Sequence, residues 1–595
     1  MTVHEVLAQY EGKIRQMQAG IEQFRLPHAL AATTLAIAVG LCLALSLYAI
    51  RGQVSFLWPP LPIPVAAASA HRLRKNSKSR SRMWRLKRFY DRAVERVKGN
   101  WASAGIAGDC FAGADHVYAR DLQVFGDGSL FELLCIVRTS IGQRGLANYL
   151  LEAPALDETL LRQEAVRELR GRVELREKIA MLGQFDFAES RWNTFEEWLT
   201  SPKVTFFRPL PILSAITSGL LAGLVLAGFT AAVSWAHVAG WIGALIGFHA
   251  VIGLVFRRKV TGMLDWVRPI SIETQVLREG LALLANEQFE SSKLRRLSDQ
   301  VRGGSASLRK LERLVNALAE RDKEFFYLFS RLLLVGTQLC MAIEQWRREH
   351  GDALHGWLEA WAEFEALSAL AGYAYENPGN TFPEFSKNEA CFEALALGHP
   401  LLSHSSYVAN DVELHRESSF YVISGSNMSG KSTLLRSIGL NAVLAFAGAP
   451  VRASALRLSG LSIIASMSIL DSLLNGKSKF LAEVERLRLA IELAEGTKSV
   501  LFLIDEILGG TNSRDRRIAA EAVVRTLVNR GAIGALSTHD LALTEIASAE
   551  GLRGVNVHMG SRNQQDPMDF DYMLKPGVTT EANALAIARM AGVPV

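Results

Sequence analysis

Lys431 stands at the end of a glycine-bounded turn, Gly425-Ser426-Asn427-Met428-Ser429-Gly430-Lys431-Ser432-Thr433, which fills the pattern G-x-x-x-x-G-K-[ST]. Glycines let the backbone turn tightly, so that successive N–H groups aim at one point, and a following helix adds the positive end of its dipole. Phosphate oxygens fit such a cradle. In it Lys431 reaches the β- and γ-phosphates of a nucleoside triphosphate such as ATP, and the Ser432 hydroxyl holds Mg²⁺. The chemistry requires a strand before the turn and a helix after it. The apolar run 420–424 and the helix-like run 434–444 supply both.

Two acids end the next chemically pointed stretch, Leu501-Phe502-Leu503-Ile504-Asp505-Glu506. A carboxylate at a strand end beside a phosphate loop holds Mg²⁺ or its waters, the role expected of Asp505. Glu506 is then placed to orient or deprotonate an attacking water. Ser537-Thr538-His539-Asp540 closes the following apolar run, and His539 there senses or stabilises a γ-phosphate. Asn475-Gly476-Lys477-Ser478-Lys479-Phe480-Leu481-Ala482-Glu483 opens a charged helix. Ser478 reads either as an ordinary helix cap, with Glu483 in the first turn, or as a group presented to the γ-phosphate of a neighbouring subunit.

These residues need a scaffold, and the pattern from about residue 380 provides it. Short β-rich runs (420–424, 500–504, 533–538) alternate with helices, as in a parallel sheet covered on both faces. Upstream the period is helical. Residues 1–28 form an amphipathic lead, and 120–206 carry apolar positions at helical spacing, including Leu130, Leu133, Leu134 and Val137. Residues 257–380 resume the helical pattern, with long helices expected at 307–320 and 322–344, and stop at Asn377-Pro378-Gly379-Asn380. The fold class is therefore multi-domain α and α/β: a helical region followed by a phosphate-loop domain over 381–595.

Apolar residues are 49% of the 595, but they are unevenly spread. Neither 29–50 nor 209–256 contains a charged side chain. A spanning helix needs about 20 apolar residues, so the first run spans once and the second is long enough for a hairpin over 207–256. A further uncharged run, 54–70, makes 29–70 a second candidate hairpin, although Pro59, Pro60, Pro62 and Pro64 weaken its return arm. Arg72, Arg74, Lys75, Lys78, Arg80, Arg82, Arg85, Lys87 and Arg88 crowd the stretch 71–119, and Arg257-Arg258-Lys259 follow the second hairpin. The positive-inside rule puts these ends, the N-terminus and the phosphate-loop domain in the cytoplasm. That describes a multi-pass protein of the cell (inner) membrane. The basic stretch also suits anionic lipid or nucleic acid. Five scattered cysteines show no C-x-x-C pair or metal spacing, so they read as reduced thiols.

The motif set resembles the ATPase domain of the MutS family of DNA mismatch repair proteins. The resemblance rests on the Asn427-Met428 phosphate loop, Asp471 with Ser478-Lys479-Phe480 and Glu483, Asp505-Glu506-Ile507-Leu508-Gly509-Gly510-Thr511-Asn512-Ser513, and Ser537-Thr538-His539-Asp540. Gly398-His399-Pro400-Leu401 and Val408-Ala409-Asn410-Asp411 look like that family's lead-in. Tyr572-Met573-Leu574-Lys575-Pro576-Gly577 and residues 584–593 look like its tail, and 120–200 resembles the start of its core or lever domain. The resemblance implies a Mg²⁺-dependent ATPase acting as a homodimer with composite sites. Lys431, Ser432, Asp505, Glu506 and His539 would act in their own site, while Ser478 and Gly510, Thr511, Asn512 and Ser513 complete the partner's. It further implies a clamp of lever helices, with DNA as the ligand family analogy suggests; the other reading is an ATP-driven membrane scaffold or transport-coupled machine. The chain departs from the family in three ways. Residues 1–119 leave no room for the mismatch-reading and connector domains, the apolar hairpins are foreign to it, and Leu508-Gly509 replace its usual Gly-Arg, so an arginine beside the catalytic turn is missing.

Overall fold

The computed structural model describes residues 1–55, 57–113, 116–183, 197–207, 209–230, 233–320, 330, 332–403, 407–467, 479–509, 512–563 and 566–579. It divides into two compact units. One comprises Met1–Ile136, Leu146–Met181 and Leu367–Val595; the other comprises Val137–Gly145 and Leu182–Ala366.

The first unit begins with α1 (Val3–Gln23), opened by a capping box in which the Thr2 hydroxyl accepts from the Glu5 N–H and Glu5 accepts from the Thr2 N–H. Next come α2 (Arg25–Ile50) and α3 (Ile63–Lys98), which ends at Gly99 with φ +86°. They form an antiparallel hairpin. Tyr10 meets Tyr90 with ring centroids 5.2 Å apart, Gly20 packs on Met83, and Cys42 Sγ lies 3.2 Å from the Pro59 carbonyl oxygen. Interpolating between those pairs sets Leu30 roughly level with Arg72. The basic residues of α3 therefore lie beside the chain that precedes the apolar stretch of α2. The base of the hairpin is tied down by a bidentate pair, Arg96 to Glu376 at 2.6 and 2.9 Å, and by the Tyr90 hydroxyl donating to Glu177. Helices α4 (Leu130–Leu134), α5 (Ser140–Leu151), α6 (Leu156–Arg170) and α7 (Val173–Ala180) follow.

In the second unit, α8 (Leu210–Phe229) and α9 (Trp235–Asn286) form the other apolar hairpin, with the Trp235 ring filling the space beside Gly228. The 52 residues of α9 extend about 78 Å. Its apolar half passes through Arg257-Arg258-Lys259 into an amphipathic half, where Val276, Leu277, Leu281 and Leu284 are buried. That half packs on α11 (Gly304–Glu320), whose Leu308, Leu311, Val315 and Leu318 are also buried; α10 (Ser292–Gln300) links the two. Three stretches of described helix are long and apolar enough to cross a membrane: Val3–Ile50, Leu210–Phe229 and Trp235–Met263. After the first turn, α3 offers only residues 63–70 of apolar helix before its charges begin.

The helix expected over 322–344 differs in its described part. Leu334 has φ +51° and helix α12 (Val335–Glu376) starts beyond it, ending at the turn signal after residue 376. The carbonyls freed at this break are capped from the apolar hairpin. His249 Nδ1 lies 2.6 Å from the Leu332 oxygen, and Ser218 Oγ donates to the Leu333 oxygen at 2.8 Å. Gln338 Nε2 reaches that same carbonyl and Ser218 Oγ, each at 3.0 Å, while His249 Nε2 meets Thr217 Oγ1 at 2.9 Å.

From residue 384 the first unit is α/β. Strands β1 (Glu384–Ser386), β2 (Phe392–Leu397), β3 (Asn410–Leu414) and β5 (Ala455–Ser459) form one sheet in the order β1-β5-β2-β3. The main sheet is built from β4 (Phe420–Ser424), β6 (Leu461–Ser466), β7 (Ser499–Asp505), β8 (Ile533–Thr538), β9 (Gly554–His558) and β12 (Lys575–Pro576), ordered β12-β9-β4-β8-β7-β6. All its pairings are parallel except β12 with β9. A ribbon of β10 (Ser561–Asn563) and β11 (Asp566–Phe570) lies between the last strands in sequence. Phe420, Val422, Phe502, Ile504 and Leu536 pack on Leu487 and Ala490 of α14 (Lys479–Leu493) and on Ala520, Val524 and Leu527 of α15 (Ser513–Asn529). On the opposite face Leu503 lies against Gly439 of α13 (Lys431–Ala447). Burial on both faces explains why these strands read as continuous apolar runs.

Candidate active site

The strand, turn and helix expected around Lys431 are present as β4, residues 425–430 and α13. Two positions in the turn require glycine. Gly425 has φ +152°, and a Cβ there would stand 2.4 Å from the Met559 carbonyl oxygen; Gly430 has φ +102° and closes on Tyr572. Asn410 holds Tyr572 in place, donating to its carbonyl at 3.1 Å and accepting from the Leu574 N–H at 2.6 Å. The lead-in around 410 and the segment 572–577, far apart in sequence, thus meet beside the loop.

Inside the turn Lys431 is buried, and its Nζ donates to the carbonyls of Gly425 and Ser426, both at 2.8 Å. Burial pushes its ammonium below the usual lysine range, and Glu506 and Asp505 oppose that shift. The hydroxyls of Ser426 and Ser429 are buried with no hydrogen-bond partner. Two orphaned hydroxyls, a cation and the first turn of α13 thus belong to one short stretch, a donor set that fits phosphate oxygens. Asn427, Met428 and Thr433 are exposed around it, with Met428 at φ +72°.

The end of β7 delivers both acids, beside its parallel neighbour β8. Register places Asp505 opposite Ser537, whose hydroxyl donates to Asp505 Oδ1, and Ser432 Oγ donates to Asp505 Oδ2 at 2.5 Å. Ser432 and Asp505, expected to share Mg²⁺, are therefore adjacent, and a hydroxyl with a carboxylate is oxygen chemistry suited to that ion. Glu506 leaves the strand with φ +56°, its N–H held by the Ser537 carbonyl at 3.1 Å. Its Oε2 lies 2.5 Å from His539 Nδ1 and 3.2 Å from Arg516 Nη2, while Oε1 is buried without a partner. His539, expected at the γ-phosphate, is thus brought beside Glu506.

Two side chains that motif reasoning did not place in this site shape its turn. Arg516 on α15 is buried and donates from Nε to the Ile507 carbonyl at 2.7 Å. Glu483 on α14, read from sequence as a first-turn residue suited to a cap, is instead buried and accepts from the Leu508 N–H, where φ is +52°. The signal for Arg516 was its place one turn past Asn512, on the face α15 buries. Asn512 is the N-cap of α15, its Oδ1 accepting from the Asp515 N–H at 2.9 Å, and Asn512 and Ser513 are exposed. Ser478, Asp471, Gly510, Thr511 and residues 584–593 lie outside the described residues.

Fold and site together define an α/β domain with a mainly parallel sheet, whose strand ends gather a lysine-bearing glycine turn, two acids and a histidine. Residues 421–595 match the family model described as MutS domain V. The chain is 30% identical over 279 residues to the DNA mismatch repair protein MutS of Thermus thermophilus, covering 47% of this chain and 33% of that protein. Its counterpart in Thermosipho melanesiensis is 29% identical over 286 residues (47% and 34%), and that of Lactobacillus delbrueckii subsp. bulgaricus 32% over 242 residues (39% and 28%). Residues 421–595 of this chain thus form a region of the MutS family. It spans about a third of the length of the curated relatives it matches.

Proposed function

We propose that this chain is a membrane-anchored, MutS-like ATPase whose nucleotide state drives a clamp-like change in its lever helices. The observation that carries the reading is the meeting of Lys431, Ser432, Asp505, Glu506 and His539 at the ends of β4, β7 and β8, around partnerless Ser426 and Ser429 hydroxyls. ATP fits this set: the loop and Lys431 hold its phosphates, and Glu506 accepts the proton of the attacking water through Oε1. The water oxygen bonds to the γ-phosphorus as the bond to the β–γ bridging oxygen breaks, and ADP leaves with that electron pair. Ser432 and Asp505 would hold Mg²⁺, which would supply charge neutralisation at the phosphates. Ser478, Gly510, Thr511, Asn512 and Ser513 would complete the site of a second copy in a homodimer. Membrane anchoring is supported by the three long apolar helices and by the basic residues at their ends.

The curated relatives are named as DNA mismatch repair proteins, and DNA is the clamp ligand that likeness suggests. The alternative, a scaffold or transport-coupled machine with no DNA role, gains support from α9, one continuous helix carrying both apolar span and lever surface. Mg²⁺-dependent ATP hydrolysis by the detergent-solubilised full chain tests the enzyme reading, and no turnover at saturating ATP would overturn it. Binding to duplex DNA at low salt separates the alternatives, since phosphate contacts are strongest there.

A further inference from the structure

We infer that Arg516 is a positioning residue for the hydrolytic step: it fixes the Glu506 carboxylate so that Oε1, rather than Oε2, receives the proton of water. The inference rests on the ATPase reading above. Sequence comparison left the catalytic turn without its usual arginine, because Leu508 and Gly509 stand there. In the fold a guanidinium reaches the turn from the next helix instead.

The geometry is that of a two-point clamp. Arg516 Nε donates to the Ile507 carbonyl at 2.7 Å while Nη2 meets Glu506 Oε2 at 3.2 Å, so one planar group spans a backbone atom and the neighbouring acid. Its side chain is only 6% exposed, so the contact lies away from screening water. The backbone beneath it needs holding. Glu506 and Leu508 both have positive φ, a conformation that is strained for non-glycine residues and persists only where the surroundings enforce it. Glu483 pins the Leu508 N–H from α14, and Arg516 pins Ile507 and Glu506 from α15. His539 Nδ1 shares Oε2, which leaves the buried, partnerless Oε1 as the free acceptor. Arg516 reaches none of the loop groups that hold phosphate in the described structure, so its effect belongs to turnover rather than to ATP affinity.

The test measures ATP turnover and ATP binding separately for the full chain in detergent. Arg516→Ala is expected to lower kcat about 10- to 100-fold with KM and ATP affinity kept, less than the loss of a general base itself. Arg516→Lys, which supplies charge without the second donor, is expected to recover part of that loss. In the Glu506→Gln background, Arg516→Ala is expected to add little, since it acts through that carboxylate. Unchanged kcat in Arg516→Ala, or kcat and affinity falling in parallel in the folded Lys variant, would overturn the inference, as would full additivity with Glu506→Gln. Normal turnover by Glu506→Gln would overturn it too, whereas the ATPase reading itself falls only if the unaltered chain turns over no ATP, a result separable from the behaviour of Arg516.

Discussion

His249 in the apolar hairpin and Glu506 in the α/β domain are both polar side chains held by hydrogen bonds, yet they are bonded in opposite ways. Both ring nitrogens of His249 are occupied, by the Leu332 carbonyl and the Thr217 hydroxyl, and the neighbouring Ser218 and Gln338 close on the same helix break. Glu506 is fixed through one oxygen while the other is buried and partnerless, and Ser426 and Ser429 beside it are orphaned too. An unpaired buried polar group is costly, so a fold keeps several together only where something else binds them. Structure and chemistry separate on that ground: the closed network caps the Leu332 and Leu333 carbonyls at the break before α12, and the open one marks the candidate site. A histidine within an apolar helical hairpin invites a functional reading, but its satisfied hydrogen bonds argue for a latch between the hairpin and the break before α12.

Lys431 offers the largest effect on the open side. Lys431→Ala removes a buried cation facing the loop, and charged hydrogen bonds are worth about 1.5–3 kcal/mol. ATP affinity should fall at least about tenfold and turnover should vanish, as read by equilibrium nucleotide binding and phosphate release. On the closed side, His249→Ala frees the Leu332 carbonyl in an apolar setting, at a cost of about 1–2 kcal/mol. Thermal unfolding in detergent should come earlier while ATP turnover below the transition stays the same. Lost turnover with unchanged stability would break the contrast between the two networks.

A smaller effect should be visible in pH dependence. Glu365 is buried in the second unit, accepting from the Thr139 hydroxyl and, at 2.9 Å, from the Arg138 N–H, and burial pushes its carboxyl up to about 7. The folded chain thus keeps a proton that the unfolded chain releases above about 4.5. Its contribution is fully present below that value and is lost as pH rises toward about 7. Glu365→Gln should flatten this part of the profile in denaturant titrations; an identical slope in both proteins would refute the assignment.

Much of the site was legible because its chemistry is local in sequence. The turn at 425–433, the strand ending in Asp505-Glu506 and the strand ending before His539 each announce themselves, and the fold brings them together. Arg516 was not legible as part of the site, and Glu483 was legible only as a motif residue without its contact to Leu508, because a charge on a helix reads as one more solvated position until its partner is known. The break at Leu334 was hidden for a related reason. The run 332–343 keeps apolar character across the interruption, and what stops the helix is capping by residues about 80 to 120 positions earlier. The apolar hairpins were plain in composition. Composition did not show that the first returns through turns and a short apolar piece of α3, because residues 54–70 lack charge whether or not they are helical.

Single-turnover ATP hydrolysis by Glu506→Gln, compared with the unaltered chain at matched nucleotide occupancy, tests the central claim most directly. ATP binding is expected to persist while hydrolysis falls by about 10²- to 10⁴-fold, the range for a lost general base. Hydrolysis at the unaltered rate with ATP bound would contradict it.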